Sequence, residues 1–110
     1  MVKDATYGSV GDLKDAAVIA GLPCPKFKLS NKLTNAAQSA ECSGDAVLAT
    51  YATQADLQAQ LKQYRAMAAL FKQQGVPLNS LLIGPNWTIN APEAAKLQPV
   101  LGGVVDDPLS

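Results

Sequence analysis

The chain contains no histidine, so the commonest general base and the commonest neutral metal ligand are both missing. Aromatic residues are scarce at 5%, and charged residues make up only 16%. The nine basic and nine acidic side chains cancel. A neutral chain offers no global field to draw in nucleic acid or an anionic membrane surface. No apolar run approaches the ~20 residues needed to span a bilayer. Met1 to Val10 has no apolar core of the kind a signal peptide requires. Either the chain works in the cytosol or a leader has been removed.

What is present is one domain's worth of sequence, 110 residues with 48% apolar content. Much of that content is alanine, so the core is expected to be thin and a covalent staple would matter. Two cysteines supply the means. Cys24 lies in Leu22-Pro23-Cys24-Pro25, where the flanking prolines disfavour helix. Cys42 lies in Glu41-Cys42-Ser43-Gly44, just before a turn. A bridge between them would close a loop of about 18 residues, a contribution of roughly 3 kcal/mol in the chain-entropy picture. Against this stands the plainer reading of two unrelated thiols. The spacing matches no CxxC redox motif, and two cysteines without histidine make a poor zinc site.

Local signals place the elements. Ser9 opens a helix over about residues 10–20, with Asp12 in its first turn and Gly21 as its stop. Residues 32–41 read as a weak strand. The turn Ser43-Gly44-Asp45 follows, then the better strand Ala46 to Tyr51, which together make a hairpin. Thr53-Gln54-Ala55-Asp56 caps the clearest helix in the chain, which runs to Gly75. Leu57, Leu61, Tyr64, Ala68 and Phe71 form its apolar stripe. Ser80 to Ile83 and Trp87 to Ile89 read as strands around the turn Gly84-Pro85-Asn86. Asn90 is expected to cap a short third helix with Pro92 in its first turn, and Pro99 should shorten or kink it. Val104-Val105 can add an edge strand. The expectation is an α+β domain over residues 9–105, with a flexible lead-in at 1–8 and a polar tail at 106–110. An antiparallel sheet of about four short strands would carry two or three helices on one face, leaving the other face for a partner.

The order Leu13, Gly21, Cys24, then Ser39 and Cys42-Ser43 before Val47-Leu48, then Gly84-Pro85-Asn86-Trp87 and Leu101-Gly102-Gly103, resembles a family of small exported or lipid-anchored proteins of actinobacteria. The likeness covers most of residues 9–105. It implies a secreted or envelope location and no particular activity. This chain shows no leader and no lipobox cysteine, which leaves anchoring open.

The candidate surface residues are few. Asn86 and Trp87 would form a recognition point, since tryptophan anchors many interfaces; the competing reading packs the indole on the long helix with its N–H bonded to a carbonyl. Lys26, Lys28 and Lys32, with Phe27 among them, would meet an anionic polymer; equally, lysines on a hairpin edge prevent strand-to-strand aggregation. The uncharged face of Gln54, Gln58, Gln60, Gln63, Gln73 and Gln74 would allow a homodimer, or is simply solvated. The carboxylates Asp12, Asp15, Asp45, Asp56, Glu41 and Glu93 have no catalytic spacing, and no phosphate loop, dinucleotide fingerprint or calcium loop is present. The sequence therefore leads to a non-catalytic secreted or cell-envelope domain, without cofactor or metal, that binds a protein or cell-wall component. The alternative is a cytosolic phage-type modulator of a host protein with reduced thiols.

Overall fold

A computed structural model describes residues 3–31, 35–42, 46–75 and 79–106. The chain runs α1 (Val10–Ala20), β1 (Lys28–Leu29), β2 (Gln38–Glu41), β3 (Val47–Thr50), α2 (Gln54–Gln73), β4 (Leu81–Ile83), β5 (Trp87–Asn90), α3 (Ala94–Leu101) and β6 (Val104–Asp106). Local chemistry sets the first two helices as expected. The Ser9 hydroxyl accepts from the Asp12 amide, and Gly21 closes α1 in the left-handed region at φ 117°. Thr53 accepts from the Asp56 amide at the start of α2. The third helix starts later than expected. Asn90 is spent in β5, and Glu93 occupies the N-cap position without a side-chain bond.

The strands form one antiparallel sheet in the order β1-β2-β3-β5-β4-β6. The fold class is α+β, with six strands rather than about four. The strand missing from the sequence reading is β1, a two-residue edge paired through Lys28–Glu41 and Leu29–Ala40. The hairpin turn expected at Ser43-Gly44-Asp45 lies outside the described residues.

A second correction concerns the layers. Leu48, Leu82, Trp87 and Ile89 point to one face and pack against Leu13 and Ala17 of α1 and Leu97 and Leu101 of α3. Ala49 and Leu81 point to the opposite face and pack with Leu57 and Leu61 of α2. The sheet is thus sandwiched between α1 with α3 on one side and α2 on the other. Neighbours Leu48 and Ala49, and Leu81 and Leu82, go to opposite sides because strand side chains alternate. Apolar residues at every position of such strands are the mark of a sheet covered on both faces.

Cys24 and Cys42 are joined by a disulfide, tying the segment after α1 to the end of β2. The lead-in is also bound into the domain among its described residues. The Asp4 amide donates to the Leu101 carbonyl at 2.9 Å, and Asp4 Oδ1 accepts from Gly103 N at 2.6 Å. At the other end, Asp106 belongs to β6, opposite Leu81.

Candidate functional site

The Gly84-Pro85-Asn86-Trp87 turn is built into the interior. Trp87 has zero exposure, its Nε1 donates to the Ala5 carbonyl at 2.8 Å, and Tyr7 meets its ring edge-on at 6.1 Å. It stands in the core shared with α1 and α3, on the face away from the long helix. The ring therefore offers no surface to a partner. Asn86 is half-buried and committed to the backbone of Tyr7. Gly84 is glycine because a side chain there would overlap the indole.

Lys26, Phe27 and Lys28 are exposed, and α1 contributes a further lysine. Lys14 Nζ lies 5.4 Å from the Phe27 ring centroid, while also pairing with Asp15 at 2.9 Å. Lys28 stands opposite Glu41 across the β1–β2 ladder, which offsets its charge. Lys32 lies outside the described residues. Lys28 and Trp87 point to opposite faces, three strands apart, about 14 Å at ordinary strand spacing. The two candidate patches therefore do not form one surface.

The described carboxylates are scattered. Asp12 and Asp56 sit in the first turns of α1 and α2, where they meet the positive helix ends. Among the described residues, no group of three or more Cys, Asp or Glu is arranged to hold a metal ion. No helix among them is long and apolar enough to cross a membrane.

The feature the sequence reading did not reach is a cleft between α2 and the sheet. Polar contacts hold the helix over its first twelve residues. Gln54 Nε2 donates to the Pro85 carbonyl, Tyr64 Oη donates to the Asn79 carbonyl at 2.9 Å, and Arg65 Nε meets Asp106 Oδ2 at 3.3 Å. Near its start the helix seats Leu57 and Leu61 on Ala49 and Leu81. Further along, it bridges a half-open cavity of about 180 Å³. Val47, Asn90 and Leu81, register partners across β3, β5 and β4, form the floor. Gln60, Tyr64, Met67 and Phe71 of α2 line the opposite side.

The lining is apolar with a few polar groups. Tyr51 Oη and Thr88 Oγ1 share a hydrogen bond at 3.1 Å, both buried. Burial pushes the Tyr51 hydroxyl above its ordinary value of 10.0, and the Thr88 bond opposes this more weakly. Among the described residues, Gln60 Oε1 is buried without a hydrogen-bond partner and no side chain of the lining is charged. The helix stripe Leu61, Tyr64, Ala68 and Phe71 was legible as the buried face of α2. What it faces was not, although the unbroken apolar run Leu81-Leu82-Ile83 carried the signal of a doubly covered strand. Gln60, read with the solvated glutamines, belongs instead to the cleft.

Compared with protein-family models, curated proteins and solved structures, the chain matches none of them.

Proposed function

We propose that this chain is a non-catalytic binding domain of the secreted or cell-envelope kind, which receives an apolar group of a protein or cell-wall component in the cleft between α2 and the sheet. The cleft carries the reading: about 180 Å³ lies half-open beneath one helix, lined by apolar groups and a few polar atoms. The disulfide supports an oxidising compartment, since such bridges persist outside the reducing cytosol. The uncharged lining supports binding over acid–base chemistry, because no carboxylate or ammonium of the described residues reaches it.

Benzene is the direct test, since an apolar cavity of about 150 Å³ accepts that ring. In benzene-saturated buffer, the methyl resonances of Val47, Leu61 and Leu81 should shift, and those of Leu13 and Leu97 on the other face should not. Ala68→Leu, which places a larger side chain in the lining, should weaken the response. Unmoved Val47, Leu61 and Leu81 methyls in the folded protein would remove the cleft as the binding site.

A further inference from the structure

We infer that the lead-in is an exchangeable strap, and that a second copy of this chain is the partner its groove fits. Residues 4–7 of one copy seat on Asn86, Trp87 and Gly103 of another, and the reverse, in a closed dimer. The groove lies on the α1 and α3 side of the sheet, so the inference is independent of the cleft beneath α2.

Two motifs far apart in the sequence meet at this groove. Gly84-Pro85-Asn86-Trp87 and Leu101-Gly102-Gly103 both receive the same short segment. At one end the Asp4 amide donates to the Leu101 carbonyl, and the Gly103 amide donates to Asp4 Oδ1. In the middle Trp87 Nε1 donates to the Ala5 carbonyl. At the other end the Asn86 side chain takes both the amide and the carbonyl of Tyr7. A side chain at Gly102 would overlap Asp4, as one at Gly84 would overlap the indole. Of these five bonds, four are made by the backbone of the strap. Main-chain bonding with room for particular side chains is how a protein holds a separate peptide segment.

The strap is also built to leave. None of residues 3–8 is buried: Ala5 and Tyr7 are half-buried, and Lys3, Asp4, Thr6 and Gly8 are exposed. A segment with little buried surface opens at low cost. Gly8 has open space around it and stands just before Ser9, the cap of α1, so the chain can turn there without disturbing the helix. Opening leaves the indole uncovered and the Asn86 amide without its partners, and another strap restores both.

The occupant follows from competition. A foreign peptide must displace a tethered strap whose effective concentration is on the order of millimolar. A second copy does not face that handicap, because each chain receives the strap it gives. Reciprocal exchange restores every contact and closes the assembly at two copies.

The test mixes nitrogen-15-labelled chains with carbon-13-labelled chains, unfolded together in urea with the disulfide intact and refolded at about 1 mM, the expected midpoint. Cross-copy NOEs should join the Trp87 indole N–H of one chain to Ala5 protons of the other. Sedimentation should show about half the chain as dimer, falling steeply on twentyfold dilution. Deleting Gly8 shortens the hinge, so the strap reaches its own groove less easily, and the dimer should tighten about tenfold or more. The inference is overturned if the parent shows no cross-copy NOE at about 1 mM. It is equally overturned by a dimer in which Trp87 meets only its own Ala5. Loss of Gly8 that yields monomers with an uncovered Trp87, or a dimer no tighter than the parent's, overturns it too.

Discussion

Asn86 and Tyr7 are bonded in both directions: Asn86 Nδ2 donates to the Tyr7 carbonyl at 2.8 Å, and Asn86 Oδ1 accepts from the Tyr7 amide at 3.0 Å. The residues are 79 apart in sequence, so one amide side chain does for the lead-in what a strand partner would do. The same segment supplies the Ala5 carbonyl to Trp87 and the Asp4 contacts to Leu101 and Gly103. Asn86→Ala should cost about 1–3 kcal/mol, since it leaves a partly buried amide and carbonyl without partners. Asn86→Asp should not rescue it, because a carboxylate has no donor for the Tyr7 carbonyl. Urea unfolding and amide exchange at Tyr7 measure both. An unchanged midpoint with slow exchange at Tyr7 would show that Asn86 does not hold the strap.

Gly84 is the complement of Trp87. A methyl group at position 84 would overlap the six-membered part of the indole. Gly84→Ala should therefore displace the ring, destabilise the domain by about 1–3 kcal/mol or more, and red-shift the emission of the chain's one tryptophan. In a Trp87→Leu background the same substitution should cost far less, because the clashing atoms are gone. Equal cost in both backgrounds would mean that the indole is not what requires glycine.

The parts of this fold legible in the sequence are those decided within a turn of chain. Ser9, Thr53 and Gly21 act on amides and carbonyls a few residues away, so α1 and α2 begin where their caps stand. Asn90 has the same capping chemistry and does not use it. Its position is claimed by pairing with Val47 on one side and Leu81 on the other, a tertiary arrangement its neighbours in sequence do not reveal. The Lys28-Leu29 strand is similar, being exposed, two residues long and defined only by the strand beside it. For α2, the stripe Leu57, Leu61, Tyr64, Ala68 and Phe71 tells which side of the helix is buried, but two faces of the sheet were open to it. The cleft follows from that choice of face, which is why its residues were legible singly and not as a site. Trp87 shows the reverse limit: its identity stands out in the sequence, and its burial depends on Ala5 and Tyr7 at the other end of the chain.

The Cys24–Cys42 bridge spans a sequence separation of 18 and ties the segment after α1 to the end of β2, inside the sheet. Reduction, or a Cys24→Ser, Cys42→Ser pair, should lower stability by roughly 3 kcal/mol, the loop-closure value for a ring of that length. Intact mass after iodoacetamide treatment of unreduced, denatured protein gives the redox state directly. No added label is expected. Two labels would mean free thiols, which removes the argument for an oxidising compartment and favours a cytosolic modulator.

Tyr51 makes stability depend on alkaline pH. Burial raises its ionisation above the ordinary 10.0 and the Thr88 bond lowers it by less, so the folded state holds the proton more tightly than the unfolded chain does. The resulting stabilisation is present in full below about pH 10, where the tyrosine is protonated in both states. Above that, the unfolded chain releases the proton first, and stability falls until the folded value is passed. The urea midpoint should therefore drop as the pH rises above about 10, more steeply than for Tyr51→Phe, in which the group is absent. Every other titrating group is common to both proteins, so it cancels in the comparison. The tyrosinate absorbance of the native protein provides a second reading, with a late component in the parent that is lost in Tyr51→Phe. Parallel pH profiles for the parent and Tyr51→Phe would show that burial does not hold the Tyr51 proton.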